Sequence, residues 1–389
     1  MKVNKWTLGL AAVGLVSLPS IMQAEEKLTP VMTALSATTI SGYVSTSVEW
    51  NPGTGNANPA PYAFNAGKQD GFNLDSLVVQ LQKPVSEGQW GAGYTAMLMF
   101  GPDAPGVTGA AGEFVREAHV DLNAPIGNGL LFQMGRFGNL IGYESTTSYL
   151  NANYTHSYAW SIQPTEHTGI LATYKIFDAL TAMVGVANEV TTGPINEKSL
   201  VESKKAIVSL LTFTAPTNWG FLGGSTLNAG IDHGPGTGQA PADRTHLYLG
   251  ATLNTPVTGL TLGAEYDSIY HTDVAGADTG YGMNAVAYAS YKLTTKTTLA
   301  LRGEYARGGY LGALADADNG TVGNPLRKVL ALTGTVQYDL WQNVISRLEF
   351  RWDHAADGTQ AFGGRGALGG AAPDKRNEVT VAANLIYKF

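Results

Sequence analysis

The chain closes on "NEVTVAANLIYKF", in which Val379, Val381, Ala383, Leu385, Tyr387 and Phe389 share one parity and the polar Glu378, Thr380, Asn384 and Lys388 share the other. Alternation with a period of two marks a strand with one apolar and one polar face, because successive side chains leave a pleated backbone on opposite sides. The pattern recurs in sixteen segments, beginning near residues 38, 71, 89, 113, 129, 167, 179, 204, 219, 244, 258, 282, 295, 327, 342 and 377. "ISGYVSTSVEW" puts Ile40, Val44, Val48 and Trp50 on one face. "NVISRLEFRWDH" sets Val344, Leu348, Phe350 and Trp352 against Arg347, Glu349, Arg351 and Asp353. The pattern is weakest near 71, 204 and 219, and "LDSLVVQL" fits either parity.

The connectors alternate too. Short turns at "KPVSEGQ", "NAPIGNG", "FD", "APTNWG", "NTPVTG", "TTK" and "LWQ" separate long Gly-rich loops at about 51–70, 101–112, 138–166, 190–203, 232–243, 271–281, 307–326 and 355–376. Seven short and eight long connections are what an even-stranded outer-membrane barrel requires, with tight periplasmic turns, long outer loops and both termini inside. Aromatics supply a second test. Trp90, Trp219, Tyr291, Tyr338, Trp341, Tyr387 and Phe389 fall near the short turns, whereas Trp50, Phe72, Phe100, Phe114, Tyr266, Tyr270, Tyr305 and Trp352 fall near the long loops. Two such bands match the girdles at the membrane–water interfaces, and a sandwich core predicts no such segregation. The fold class expected is therefore all-β, a transmembrane antiparallel barrel of about 16 strands spanning 38–389. Its apolar face meets lipid and its polar face looks into a lumen. The last strand must pair with the first, since an open edge in lipid leaves backbone groups unsatisfied.

Composition agrees. Only 14% of residues are charged and mean hydropathy is −0.03, too polar for a bundle of apolar helices of about 20 residues each. The start, "MKVNKWTLGLAAVGLVSLPSIMQA", has Lys2 and Lys5, an apolar run and a small residue at Ala24, as in a signal peptide over 1–24. Residues 25–37 read as a periplasmic lead-in. With no Cys, no disulfide holds the exported chain. A formal charge of −7 makes nucleic acid an unsuitable partner.

Several stretches carry the likeness to a known family: "FNLDSLVVQLQKP" (72–84), "AHVDLNAPIGNGLLFQMGRFGNLIGYE" (118–144), "NANYTHSYAW" (151–160), "PTEHTGILATYKI" (164–176) and the final "NLIYKF". The chain resembles the OmpL-like beta-barrel porins, the beta-barrel porin-2 family. The resemblance implies an outer-membrane porin, with no established catalytic or solute-binding residues to carry over. Leu385, Tyr387 and the terminal Phe389 resemble the aromatic signal by which such barrels are recognised by the barrel assembly machinery.

The remaining motifs are weak. Seven His are scattered, with no helical pair and no Cys to make a zinc site. His119 and Asp121 share the lumen face and read as hydrated wall residues. "DADNG" and "DHGPG" are turns without the rest of a calcium loop. "GGRGALGGAAP" lacks the strand–helix setting of a phosphate cradle. Neither cofactor nor metal is expected. A diffusion channel for small hydrophilic solutes and ions fits, with outer-membrane lipids as its surroundings. A substrate-specific channel and a barrel-type enzyme stay open as alternatives, although no Ser–His pair stands out near a rim. The sequence leaves open whether the barrel forms a homotrimer. Sixteen strands enclose a lumen of roughly 30 Å backbone diameter, wide enough to leak metabolites. The Tyr-rich loop 138–166 is the longest, and it is expected to fold inward and bring Glu144, Tyr149, Tyr154, Tyr158 and Glu166 to an eyelet. The facing wall would present Arg302, Arg347 and Arg351, interleaved with Glu304, Glu349 and Asp353, so that acids and bases set a transverse field. An outer cap that leaves the pore wide is the competing expectation.

Overall fold

The computed structural model describes residues 37–53, 55, 57–60, 68, 70–85, 89–108, 113–190, 195, 204–236, 243–271, 281–308, 328–365 and 371–389. The expected signal peptide and nearly all of the lead-in lie outside these, as do most of the loops near 190–203, 271–281 and 307–326 and half of that near 232–243. The first eight strands are β1 (Thr39–Trp50), β2 (Gly71–Lys83), β3 (Gly91–Phe100), β4 (Val115–Ala124), β5 (Leu130–Gly138), β6 (Glu166–Phe177), β7 (Leu180–Ala187) and β8 (Ala206–Thr214). The second eight are β9 (Thr226–Pro235), β10 (Asp243–Asn254), β11 (Leu260–His271), β12 (Tyr281–Lys292), β13 (Thr297–Gly308), β14 (Lys328–Trp341), β15 (Val344–Ala355) and β16 (Asn377–Lys388). Each pairs antiparallel with its sequence neighbours, and β16 returns to β1, so the sheet closes into a 16-stranded barrel. Closure continues one residue past β16: Phe389 and Gly42 exchange both backbone hydrogen bonds at 3.0 Å.

Two departures from the sequence reading have local causes. "NWGFLGG" forms no strand; it turns through a 3₁₀ segment at Gly220–Leu222, with Gly220 and Gly224 at φ 64° and 83°, and β9 starts only at Thr226. That conformation suits glycine, which lacks the Cβ that makes positive φ costly. The ambiguous "LDSLVVQL" contains a bulge: Ser45 faces Ser76 and Thr46 faces Leu74, so Asp75 is left over. An extra residue flips the parity of one side of the strand relative to the other. Phe72 and Leu74 therefore point outward before the bulge, and Leu81 after it, while Asp75 and Val78 stay buried inside.

The outer surface carries the apolar parity, with Ile40, Trp50, Leu211, Leu249, Phe350 and Tyr387 all exposed. The inner surface is less uniformly polar than alternation implies. Tyr43, Val78, Met97, Met99, Ile345 and Ile386 make an inward apolar patch over neighbouring strands β15, β16, β1, β2 and β3. Val107, on the short helix α1 (Ala104–Thr108), packs on it, as do Tyr149 and Trp160. A second patch, Phe137, Leu171, Met183, Val208, Leu210 and Tyr248, is covered by Leu140 and Ile141. Apolar residues on both parities, as in "YTAMLMF" and "NLIYKF", mark strands whose inner face is also roofed by protein.

Candidate functional site

Residues 139–165 connect β5 to β6, and their backbone hydrogen bonds run to the barrel wall. Non-helical backbone at membrane depth is tolerated only where protein or water satisfies its N–H and C=O groups. Here inward side chains do so from both signs of charge. Glu349 accepts from the N–H groups of Tyr154 (2.6 Å) and Thr155 (2.9 Å), and Glu304 accepts from Tyr158 N–H (2.7 Å). In return Arg302 donates to the carbonyls of Thr155 and His156, and Arg351 donates to that of His156. Arg347 takes the carbonyls of Ser148 (3.0 Å) and Asn151 (2.6 Å). Asn153 Nδ2 reaches Thr335 Oγ1 on β14 at 2.7 Å. On the other side of the loop Tyr143 N–H binds Glu265 (2.9 Å), and Gln163 Nε2 bridges Glu265 and Asp267, each at 2.6 Å.

This geometry changes the electrostatic picture drawn from sequence. The loop and the arginines do not face each other across water. Glu144 touches Arg302 (2.8 Å), Arg302 touches Glu304 (2.7 Å), and Arg351 touches Asp353 (2.8 Å). Arg302 and Arg351 have 0% exposure, so they are clamps beneath the loop and not pore-facing bases. Period-two alternation put their side chains inside the barrel correctly; it carried no information on how close the loop would come.

The predicted eyelet residues disperse. Tyr154 reaches β1 and β2, donating to Glu49 (2.6 Å) and lying 2.8 Å from Ser47 Oγ. Tyr149 stands edge-on to Tyr43, with ring centroids 5.3 Å apart. Tyr158 is fully buried, with the Arg351 guanidinium 5.3 Å from its ring centre. Glu166 is not brought to this group: it opens β6, buried 3.4 Å from Arg116 Nε. Sequence reasoning missed Glu265, Asp267, Gln163, Tyr288 and the Lys68–Asp75–Asp103 cluster, in which the ammonium lies 2.8 and 2.6 Å from the two carboxylates. The available signal was an Asp inside the apolar run "LDSLVVQL". Among the described residues, no three His, Cys, Asp or Glu side chains are placed to hold a metal.

Glu144 is the electrostatic joint of the loop. Burial alone would push its carboxyl up, but the Arg302 charge and hydrogen bonds from His156 (2.8 Å) and Ser157 N–H (2.9 Å) outweigh it and bring the pKa down to about 2. Burial also holds His156 below its ordinary value, so the imidazole is neutral at pH 7 and donates Nδ1–H to Glu144. A carboxyl whose pKa is lowered on folding contributes stability above its ordinary value of 4.5 and loses it only as pH falls towards 2. The clamp around Glu144 should therefore hold from about pH 7 to about pH 4 and loosen only in stronger acid. A pH series of limited proteolysis in which residues 139–165 became cleavable near pH 6 would refute the assignment.

Residues 37–389 match the family described as "Putative beta-barrel porin-2, OmpL-like". No protein of curated function matches the sequence. Several solved structures share the fold at low identity. An anion-selective porin from Comamonas acidovorans superposes with a TM-score of 0.60 at 14% identity, covering 90% of this chain and 99% of its own. The trimer form of in-vitro folded OmpT, an outer membrane protein of Vibrio cholerae, gives 0.58 at 11% over 90% and 99%. The outer membrane channel DcaP of Acinetobacter baumannii gives 0.55 at 12% over 90% and 97%.

Proposed function

The chain belongs to the OmpL-like beta-barrel porin-2 family and is an outer-membrane porin channel, and from that premise we propose that the β5–β6 loop is its constriction and that small hydrophilic solutes pass by passive diffusion. The observation that carries this reading is the clamping of residues 143–158 onto Glu265, Arg302, Glu304, Arg347, Glu349 and Arg351 inside the barrel. A loop so held stays in the lumen instead of capping it.

The exposed apolar face is the surface for lipid, and Leu385, Tyr387 and Phe389 at the closing seam are the recognition signal for assembly. We read the protein as a channel and not an enzyme, a reading supported by the family to which it belongs. Export through cleavage after Ala24 belongs to the same reading. Likeness to OmpT in its trimer form favours a homotrimer. With long loops outside, a cysteine at residue 195 should react with an impermeant maleimide in intact cells, and one at Pro216 should not. Liposomes carrying the protein should swell in glycerol and alanine and exclude dextran oligomers. Free entry of the oligomers would mean that the pore is wide and the loop no constriction.

A further inference from the structure

The loop does not fill the barrel evenly. Fastened to β13–β15 and β1, it leaves on its other side a cavity of about 340 Å³ against the inner faces of β4, β8, β9 and β10. A smaller cavity of about 140 Å³ continues past Tyr143 and Glu144 towards β11–β13. The larger one reaches the range of small-molecule sites, roughly 300–1,000 Å³. Its lining combines three features. Aromatic rings come from Tyr143, which stacks on Tyr288 at 4.3 Å, and from Trp160, which stacks on His156 at 3.9 Å. Neutral hydrogen-bonding groups come from Asn228, whose Oδ1 accepts from Thr212 while its amide donors carry no bond among the described residues, and from the hydroxyls of Ser145 and Thr252.

The third feature is charge that is already compensated. A bulge in the β3–β4 register, where Met97 faces Glu117 and Leu98 faces Val115, leaves Arg116 over, and both Arg116 and Glu117 line the cavity. They lie 3.7 Å from each other, with His119 a further 3.7 Å from Glu117, while Glu144 is matched by Arg302. A charged solute entering here would lose hydration and find no free counter-charge. An apolar solute would leave hydrogen-bonding groups unpaired. A neutral solute with hydroxyls around an apolar ring face pays neither cost, because its C–H face can lie on the aromatic rings and its hydroxyls can meet the polar groups.

We infer that this cavity is a binding station for a neutral polyhydroxylated solute of monosaccharide to disaccharide size, on the route through the channel. The station presupposes that the loop stands in the solute path.

The test is block of single-channel current in potassium chloride by glucose and by sucrose, with polyethylene glycol of matched mass as the crowding control. The sugars should block with a saturating concentration dependence, and the glycol should not. Asn228→Ala should raise the half-blocking concentration about tenfold, the loss expected from one hydrogen-bonding contact, with open conductance within about twofold of the parent, and Trp160→Ala should raise it by a similar factor whatever its effect on conductance. Arginine and glutamate should block less than glucose. Sugar effects that never saturate, or that ignore both substitutions, would overturn the proposal, and so would tighter block by either charged solute. Deleting residues 145–158 separates the two readings. If it raises conductance while glucose never saturates the parent channel, the station falls and the constriction stands. If it leaves conductance unchanged, the constriction falls.

Discussion

Replacing Arg302 and Arg351 together with Met should raise single-channel conductance severalfold, and deleting residues 145–158 should reach the same level. Both guanidiniums are fully buried; Arg302 donates to the carbonyls of Thr155 and His156 and Arg351 to that of His156, so their loss leaves that backbone without partners. The same change strands Glu144, Glu304 and Asp353 without their cations. A buried carboxylate deprived of its partner costs several kcal/mol unless water reaches it. Lifting the loop from the wall is the way water reaches all three. The lumen freed would approach that of an open barrel roughly 30 Å across the backbone. In the deletion the arginines keep Glu304 and Asp353 on their own strands, so the wall stays neutralised and the barrel should still close. Unchanged conductance from a properly folded deletion would place the narrow point elsewhere. Lys substitutions at 302 and 351 should rescue poorly, because a point charge cannot serve two carbonyls and a carboxylate as a planar fork does.

Much of the fold was written in the chain because a membrane barrel obeys few rules. Every strand must show lipid one parity, every backbone group must pair, and the two ends of each strand sit at different interfaces. "NEVTVAANLIYKF" and "NVISRLEFRWDH" therefore placed β15 and β16 and the inward direction of Arg347 and Arg351 without any tertiary information. The rule fails where a second layer of protein roofs the inner face. Met97, Met99, Ile345 and Ile386 face inward against α1 and the loop, and no alternation records it. It also fails at bulges. The parity of "LDSLVVQL" was undecidable because the strand uses both parities, one on each side of Asp75. The loop contacts were the least legible part. They join residues 102 to 199 positions apart, such as Gln163 to Glu265 and Arg347 to Ser148, and those to β13–β15 consist mainly of side chains meeting backbone, which any residue type in the loop could have offered.

Asp75→Ala should be the most damaging single substitution outside the loop, and its cause can be separated by one further change. The carboxylate left over by the β2 bulge gathers four donors, Ser45 (2.8 Å), Ser47 (2.7 Å), Asn384 (3.2 Å) and Lys68 (2.8 Å), and the Tyr154 hydroxyl that donates to Glu49 lies 3.2 Å away. These come from β1, from β16, from the β5–β6 loop and from the first long loop, so a single side chain ties the closing seam to both loops. Lys68 is buried, which alone would lower its pKa, yet Asp103, Asp75 and Glu49 outweigh burial and hold it above its ordinary value; it stays charged. Burial pushes Asp103 up to about 7, against the opposing pull of Lys68. Lys68 and Asp75 lie 2.8 Å apart with both side chains buried. Removing one partner of such a buried pair costs about 3–5 kcal/mol, more than the pair is worth over an apolar replacement. The alanine variant should therefore lose its heat-resistant, folded electrophoretic form at a markedly lower temperature than the parent. Adding Lys68→Met removes the stranded ammonium, and the double variant should recover more than half of that loss. If the double variant is as unstable as the single one, the cost lies in the serine and asparagine donors, and the ion pair is incidental.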